Sequence, residues 1–321
     1  MPKALYTRLS IVAAVLIWLR LASAVHADII YASDPTEGGI WKFSPSGAGT
    51  LVDSYGQGIV QSGGLALDNS GNLFVADWQS NQIQKITPNG TVTQFATGLN
   101  APQGLAFDGS GNFYAANLGN STISKITSTG TVTQFASGGG LDSPQGVAID
   151  SSGNLYVANA GNNTISKITS NGTVTQFASG GGLDAPYGLA FDSHGNLYAA
   201  NSGNSTISEI SPGGTVSQFA SGGGLSEPEG LTFDSSGILY ADNNGGTISE
   251  ITSNGSVSQF SNFGGGPGFL VSEAVPEPSS VAILSLCGVV LLRRGRSSTA
   301  RVRYESQNHA FMAITATMIT A

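Results

Sequence analysis

Short apolar runs and turn signals alternate along most of the chain. The stretch from Pro144 to Ser179 holds four such runs, GVAID, NLYVAN, TISKIT and TVTQFA, separated by D-x-x-G, N-x-G-N and N-G sequences. Each run has the length and the β-branched and aromatic content of a strand, and each separator favours a tight turn. The pattern predicts a four-stranded antiparallel meander.

This unit repeats at a nearly constant interval. The Asp that closes the first run recurs at positions 68, 108, 150, 192 and 234, separated by 40 residues once and by 42 residues three times. A fixed period in this range is typical of propeller blades or solenoid coils. Four strands and no helix in each unit favour a propeller, in which sheets arranged around an axis cover each other's apolar faces.

The repeat region has an incomplete unit at each end, and the two are complementary. Residues 30–34, 40–43 and 50–52 match the second, third and fourth runs, while residues 267–271 match the missing first run. Pairing these ends closes the ring and removes free sheet edges, which would otherwise invite aggregation. We therefore predict an all-β, six-bladed β-propeller over residues 28–273, with the N- and C-terminal strands sharing one blade.

Composition agrees with a turn-rich β protein and excludes some functions. The chain has 45 glycines, only 10% charged residues and a net charge of −8. No basic stripe crosses the repeats, so we expect no nucleic-acid partner. The only cysteine, Cys287, lies outside the repeats, so neither a disulfide framework nor a zinc-type cysteine cluster is expected.

The third run carries a charged residue at one fixed place. Two interpretations are open: a binding ring, or solvent-facing charges that keep outer strands from pairing with neighbours, which we favour. These residues are Lys42, Lys85, Lys125, Lys167, Glu209 and Glu250.

The N-terminal segment has the features of an export signal. Lys3 and Arg8 precede an apolar run from Leu9 to Leu19, and small-residue cleavage sites follow. We predict that residues 1–27 are a signal peptide cleaved after Ala27. The alternative is an N-terminal membrane anchor.

A second targeting pattern follows the repeats. Pro276, Glu277 and Pro278 precede the apolar run 281–292, and the basic residues Arg293, Arg294 and Arg296 come directly after it. The run is short for a bilayer span, and the arginines would remain on the cytoplasmic side. This order of elements resembles the PEP-CTERM sorting signal.

That resemblance implies an exosortase-type processing enzyme as a partner. It also implies a protein exported to the cell surface or exterior of a Gram-negative-type bacterium, held at the membrane transiently and only through this C-terminal segment. We assign residues 274–296 to the sorting signal, with a short hydrophobic helix. We expect the tail 297–321, which such signals usually lack, to be disordered.

Candidate binding residues lie where propeller loops gather around the axis, on the face that usually binds ligands. One set follows the proline that opens each first strand: Gln103, Gln145, Tyr187 and Glu229. A second set ends the second strands: Asp34, Asp77, Asn117, Asn159, Asn201 and Asn243. We expect both sets to face the central channel. The second set has oxygen ligands that suit calcium or another divalent metal, although such residues more often hydrogen-bond their own turns.

The repeat P-x-G-L-A-F-D-x-x-G-N-L-Y-V-A-N, followed by I-x-K-I-T-x-x-G-x-V-T-x-F, resembles the NHL and streptogramin-lyase-like propeller repeats over roughly residues 29–272. The resemblance implies a fold shared by scaffolds, metal-dependent lactonases and a lyase that uses histidine, glutamate and a divalent metal. His194, the one histidine in the repeats, falls in a turn expected on the opposite face. No catalytic residue is therefore assigned. A lactonase-type metal set would be Glu229 with Asn159, Asn201 and Asp77.

Two functions remain open from the sequence. The first is a non-catalytic propeller that binds a surface glycan, a matrix component or a protein, without any required cofactor. Near-identical blades favour it, because an active site normally breaks the symmetry of its ring. The second is a metal-dependent lactonase or lyase on the same scaffold, supported by the modest asymmetry at Asp77, Trp78, Tyr187 and Glu229.

Overall fold

The computed structural model describes residues 28–36, 39–53, 58–108, 110–266 and 268–274. Strands make up nearly all the regular structure of this part of the chain, with one 3-10 turn at Leu118–Asn120. The strands are β1 (Ile29–Asp34), β2 (Gly39–Phe43), β3 (Gly49–Asp53), β4 (Ser62–Leu67), β5 (Leu73–Asp77), β6 (Gln82–Ile86), β7 (Val92–Thr97), β8 (Pro102–Phe107), β9 (Phe113–Asn117), β10 (Thr122–Ile126), β11 (Val132–Ser137), β12 (Pro144–Ile149), β13 (Leu155–Asn159), β14 (Thr164–Ile168), β15 (Val174–Ser179), β16 (Pro186–Phe191), β17 (Leu197–Asn201), β18 (Thr206–Ile210), β19 (Val216–Ser221), β20 (Leu231–Phe233), β21 (Leu239–Asn243), β22 (Thr247–Ile251), β23 (Val257–Asn262) and β24 (Leu270–Glu273).

These strands form six four-stranded antiparallel sheets, as the repeat predicts. Blade 1 has the order β24-β1-β2-β3, blade 2 comprises β4–β7, and blades 3 to 6 follow as β8–β11, β12–β15, β16–β19 and β20–β23. The prediction of an all-β, six-bladed propeller is confirmed.

The ends of the repeat region share blade 1. β24 pairs antiparallel with β1, placing Ala32 opposite Leu270 and Ile29 opposite Glu273. The innermost strands contact one another in turn from β4 through β8, β12, β16 and β20 to β24, and β24 contacts β4 again. The ring is therefore closed by a strand from the far end of the sequence, as predicted.

The core lies between adjacent blades. The second strands β5, β9, β13, β17 and β21 are buried at every position, as their uninterrupted apolar sequences predict. Phe74 and Ile83 of blade 2, for example, pack with Phe113 and Ile126 of blade 3. Each such side chain contributes roughly 1.5–3 kcal/mol by leaving water, so the packed blades hold one another in place.

The charges on the third strands do not protect the outer edge, contrary to our expectation. Each blade ends with a further strand, and the third-strand lysines lie half-exposed over an aromatic ring of the second strand or its equivalent β1, 5.1 to 5.5 Å from its centroid. Lys167 over Tyr156 also approaches the carboxylate of Asp150, at 3.9 Å. These lysines therefore stabilise the face of their own blade.

Several sequence predictions fall outside the described residues. Residues 1–27, with the predicted export signal, and residues 275–321, with the predicted sorting signal and tail, belong to this group. Every described residue belongs to one compact unit, Met1–Val275. Within the described part of the chain, no helix is long and apolar enough to cross a membrane.

Candidate functional site: the axial pocket

At one end of the ring, the regular pairing between the first and second strands of a blade is interrupted. In β12, the register with β13 breaks between Pro144 and Val147, and β4, β8 and β16 break at the matching place. A glycine follows the variable residue, because a side chain on Gly104 would collide with the backbone of Gln145 in the next blade. The Pro-x-Gly sequence thus leaves the variable residue of β8, β12 and β16 outside the register with the second strand at this end.

A pocket of about 200 Å³, the axial pocket, opens at this end of the ring. Gln103, Tyr187 and Glu229 line it, so the structure brings three of the four predicted first-strand residues together. The fourth, Gln145, occupies the same place on β12, between the blades that carry Gln103 and Tyr187. The lining is completed by Pro35, Ser62, Gly63, Trp78, Gly268 and Phe269.

Phe269 is a lining residue that the sequence analysis missed. In the sequence it occupies the position of the glycine in the Pro-x-Gly units. That glycine is closely packed in the neighbouring blade, where a side chain on Gly230 would collide with the backbone of Gly268 and Phe269. The centroid of its ring lies 5.9 Å from that of Tyr187. A residue-by-residue alignment of Pro267-Gly268-Phe269 with the Pro-x-Gly units would have revealed it. The ring is therefore asymmetric at the axis, where Trp78, Tyr187 and Phe269 supply aromatic surface.

Glu229 is the ionisable carboxyl in this lining. Burial, and secondly the negative charge of Glu227, raise the pKa of Glu229 to about 8. Most Glu229 side chains therefore keep their proton at pH 7 and can donate as well as accept a hydrogen bond. Burial, followed by the charge of Glu229, also raises the pKa of the Tyr187 hydroxyl well above its ordinary value, so Tyr187 stays protonated.

A second carboxyl, Asp242, lies behind this wall of the pocket. Its backbone accepts a hydrogen bond from Glu229 N (2.9 Å) and donates one to Gly230 O (3.0 Å). The side chain is fully buried; Oδ2 accepts a hydrogen bond from Gly268 N (3.2 Å), and Oδ1 has no partner among the described residues. Burial raises the pKa of Asp242 well above its usual range, outweighing the hydrogen bond from Gly268.

The other five blades show that Asp242 is a local departure from the repeat. They have alanine or serine at this position: Ser33, Ala76, Ala116, Ala158 and Ala200. Asp242 was not among the predicted site residues, although the change from LYAAN to LYADN marks it in the sequence. Blade 6 therefore places two carboxyls near the axis, Glu229 and Asp242.

Gln145 supplies an unsatisfied polar atom in the same ring of residues. Its side chain is 6% exposed, and Oε1 has no hydrogen-bond partner among the described residues. Buried polar atoms are nearly always paired, with protein, water or ligand. A ligand N–H or O–H at the axis would satisfy this atom.

None of the residues that end the second strands lines the axial pocket. They hold the loops that join neighbouring blades. Asn159 Oδ1 accepts a hydrogen bond from Asp142 N (3.2 Å), and its Nδ2 donates to Thr164 Oγ1 (3.2 Å) and Ser166 Oγ (2.9 Å). The same pattern of a loop N–H and a serine hydroxyl occurs at Asn117, Asn201 and Asn243.

The two aspartates of this set serve the same purpose. Asp77 accepts hydrogen bonds from Val60 N (3.1 Å) and Gln61 N (3.3 Å), and Asp34 accepts them from Thr36 N (3.1 Å) and Gly266 N (3.0 Å). Turn and loop bonding, which we favoured from the sequence over metal coordination, is what the structure shows.

The predicted metal set does not come together. Glu229 lines the axial pocket, but Asp77, Asn159 and Asn201 do not, and their oxygen atoms already accept backbone N–H groups. In the described ranges, no group of three or more His, Cys, Asp or Glu side chains is placed to hold a metal ion. These four residues therefore do not fit the divalent metal that the family resemblance implies.

His194 lies in a turn, as predicted. It lies in the loop between β16 and β17, at the opposite end of β16 from Pro186, and its side chain is 82% exposed. Its backbone N–H donates to Asp192 Oδ1 (2.8 Å). No histidine of the described part therefore reaches the axial pocket.

The chain matches proteins of known sequence family and fold. A sequence model of the virginiamycin B lyase family matches residues 46–263, which run from just before β3 to just after β23. Among curated proteins, none matches the chain significantly.

Solved structures share the fold at low identity. A catalytically inactive virginiamycin B lyase from Staphylococcus aureus with quinupristin is 18% identical, with a TM-score of 0.61 over 78% of this chain and 94% of that one. A chain of a nidogen/laminin complex is 17% identical, with a TM-score of 0.68 over 77% and 98%. A gluconolactonase from Xanthomonas campestris is 20% identical, with a TM-score of 0.57 over 65% and 78%.

These structures show the propeller fold and leave the activity of this chain undecided, because enzymes and a protein-complex component share it. The family match is more specific, since it covers five of the six blades in full. On that match, this chain belongs to the virginiamycin B lyase family.

Proposed function

We propose that this chain is a non-catalytic binding protein that takes the end of a neutral surface glycan in its axial pocket. One observation carries the proposal. The pocket joins the aromatic surfaces of Trp78, Tyr187 and Phe269 to the Glu229 carboxyl, which is mostly protonated at neutral pH. This combination offers stacking surface and hydrogen bonds without a net charge.

Sugar rings match this chemistry. Their C–H faces pack on aromatic side chains, and their hydroxyls donate and accept hydrogen bonds at once. Glu229, Gln103 and Tyr187 each offer a donor and an acceptor, and none of the nine lining residues is Lys, Arg or His. A volume of about 200 Å³ falls below the ~300–1,000 Å³ of drug-sized ligand sites, which suits a single terminal ring.

The pKa of Glu229 determines which form of the carboxyl a ligand meets at neutral pH. A general base must be deprotonated before it can accept a proton, and the ideal catalytic pKa lies near the operating pH. With a pKa of about 8, Glu229 is protonated in most molecules at pH 7. It is a better hydrogen-bond donor to a bound ligand than a base.

A lyase or lactonase is the second candidate, and family membership favours it. In that case deprotonated Glu229 would accept a proton from the substrate, and the protonated Tyr187 hydroxyl would donate one to the leaving group. The rate would rise with pH through about 8, following the ionisation of Glu229.

Titration with uncharged oligosaccharides tests the binding proposal. We would follow the fluorescence of Trp78, with gluco-, galacto- and N-acetylgluco-oligosaccharides as probes. Trp78→Phe should abolish the fluorescence change, which shows that the signal comes from Trp78. Tyr187→Ala should weaken binding at least tenfold, as measured by calorimetry. His194→Ala, on an exposed turn away from the pocket, is the control. Unchanged affinity in Tyr187→Ala, or no binding of any probe, would overturn the proposal.

Incubation with quinupristin tests the lyase alternative. Mass spectrometry and chromatography would follow ring opening between pH 6 and pH 9, using the wild type and Glu229→Gln. Turnover that rises through pH 8 and disappears in Glu229→Gln would establish the enzyme and remove the binding proposal. Tyr187→Phe would check the proton donor independently.

We also propose that the protein is exported and processed by an exosortase-type enzyme, because residues 1–27 and 274–296 have the order of elements that export and PEP-CTERM sorting signals have. Mass spectrometry of the protein recovered from the bacterial surface would define both termini. A mature chain beginning at Asp28 and ending before Arg293 is the expected result. A chain that retains either segment contradicts the corresponding prediction.

A further inference from the structure

One of the loops between blades is two residues shorter than its counterparts. Four residues, 98–101, join β7 to the proline that opens β8, whereas six residues join β11 to Pro144, β15 to Pro186 and β19 to Pro228. Each longer loop contains three consecutive glycines, and the shorter one contains only Gly98. This difference accounts for the single 40-residue interval among the repeats.

Each longer loop packs against the blade that follows it in the chain. Its middle glycine lies on a valine of the outer strand: a Cβ on Gly139 would be 2.6 Å from Val174 Cβ, and Gly181 and Gly223 have the same relation to Val216 and Val257. Only glycine permits such a close approach.

A side-chain amide also ties these loops to the blade. Asn162 Nδ2 donates to Gly140 O (3.0 Å), and Asn204 Nδ2 donates to Gly182 O (2.9 Å). In blade 3, by contrast, the side chain of Asn120 accepts a hydrogen bond from Thr122 Oγ1 (2.8 Å).

A cleft of about 250 Å³ remains where the short loop fails to cover blade 3. We call it the rim cleft. Leu99 and Val132 form its aliphatic part, and the exposed side chains of Asn120 and Gln134 stand at its opening. Deeper in, the Asn117 amide is already bonded to Thr122 and Ser124, so this wall is rigid and neutral.

A second difference at the same loop removes a negative charge. Asp142 and Asp184 lie against Gly161 and Gly203 in the following blades, and Asn100 lies against Gly119 at the matching place. The rim cleft is therefore lined by amides, hydroxyls and aliphatic groups, without a charged residue. Two independent departures from the repeat, in length and in charge, occur together here.

From these features we infer that the rim cleft is a second binding site, separate from the axial pocket, for one sugar unit of a neutral glycan. Amide and hydroxyl groups donate to and accept from sugar hydroxyls, and the Leu99 and Val132 side chains offer apolar contact to the C–H groups of a ring. The lining has no partner for the charge of an ionic ligand.

Nuclear magnetic resonance of the full chain, titrated with glucose, galactose and N-acetylglucosamine, tests this inference. At least one sugar should shift the side-chain amide signals of Asn120 and Gln134 and the methyl signals of Val132. A variant with two glycines inserted after Gly98, together with Asn100→Asp, restores the longer loop and should weaken that binding at least tenfold. Tyr187→Ala should leave these shifts unchanged, which separates this site from the axial pocket.

The reciprocal variant provides a gain of binding that poor folding cannot mimic. Deleting Gly139 and Gly140 and changing Asp142→Asn should open an equivalent cleft beside Val174, with new sugar-dependent shifts at Val174 and Asn162. The inference is overturned if none of the three sugars shifts the Asn120, Gln134 and Val132 signals. It is also overturned if the filled loop leaves those shifts intact, or if only an uncharged Thr/Gln-rich peptide binds there.

Discussion

Replacing Glu229 with glutamine should stabilise the protein at alkaline pH and leave its stability unchanged near pH 4. Folding raises the pKa of this carboxyl, chiefly through burial, from 4.5 to about 8. Between those two values the unfolded chain has lost the proton and the folded protein still holds it. The free energy of unfolding of the wild type therefore falls as pH rises through this window. Glutamine keeps the shape and does not ionise.

The size of the effect follows from the pKa difference. Folding raises the pKa from 4.5 to about 8, and each pKa unit corresponds to about 1.4 kcal/mol, so the ceiling is ~5 kcal/mol at pH 8 and above. Glu229 is partly exposed, and solvent screening reduces this figure. We expect Glu229→Gln to gain ~2–4 kcal/mol over the wild type at pH 9.

Urea unfolding of both proteins at pH 4.5, 7 and 9 measures this difference directly. Glu227→Gln is the matched control: Glu227 is exposed and hydrogen-bonds Asn244, and its charge is the second cause of the raised pKa of Glu229. It should give a smaller gain with the same sign. Parallel pH profiles for the wild type and Glu229→Gln would refute the reasoning about burial.

The same variant has a consequence for ligand binding. Wild-type affinity for a neutral oligosaccharide should fall above pH 8, because the deprotonated carboxylate of Glu229 can no longer donate a hydrogen bond. Glu229→Gln should bind equally at pH 6 and pH 9. A wild-type affinity that does not change with pH would contradict the role given to the Glu229 proton.

Three further substitutions test the fold around the site. Asn159→Ala should cost ~2–3 kcal/mol in urea unfolding, because it removes three hydrogen bonds and leaves buried groups unpaired, whereas Asn171→Ala on an exposed turn should cost less than about 1 kcal/mol. Leu270→Ala, buried in the closing strand, should cost ~2–4 kcal/mol and speed hydrogen exchange in β1; Leu51→Ala, at a side chain that is 50% exposed, should change neither. The free energy of unfolding of Asp242→Asn should exceed that of the wild type by more as pH rises, since folding raises the pKa of Asp242. A difference that shrinks with rising pH would contradict the burial of Asp242 in its protonated form.

The strand pattern could be predicted from the sequence because every blade has the same apolar runs and the same turn sequences. Apolar second runs need burial on both faces, and Asp-x-x-Gly and Asn-Gly sequences turn the chain where strands end. The turn at Asp150 shows this locally: its carboxylate accepts hydrogen bonds from Ser152 N (2.9 Å) and Asn154 N (2.8 Å). Such contacts span at most four residues, so they are encoded within the repeat.

The candidate site was predictable only in part. Gln103, Tyr187 and Glu229 reach the axial pocket because the variable residue of each Pro-x-Gly unit lies at this end of the innermost strand. The asparagine ring was misplaced, because its orientation depends on loop N–H groups 17 residues earlier in the chain, such as that of Asp142 for Asn159. Side-chain direction at a strand end follows from these longer contacts, which a repeat motif does not state.

The amino-acid sequence by itself determined six repeated sheets, their turns and the return of the last strand to the first, since each follows from local periodicity and from the complementary ends. The tertiary structure alone decided which side chains share a pocket. Phe269 meets Tyr187, Asp242 supports the Glu229 segment, and a missing pair of glycines opens the rim cleft beside Val132. Closing the ring brings residues from distant blades together at the axis, and those contacts set burial, protonation and access.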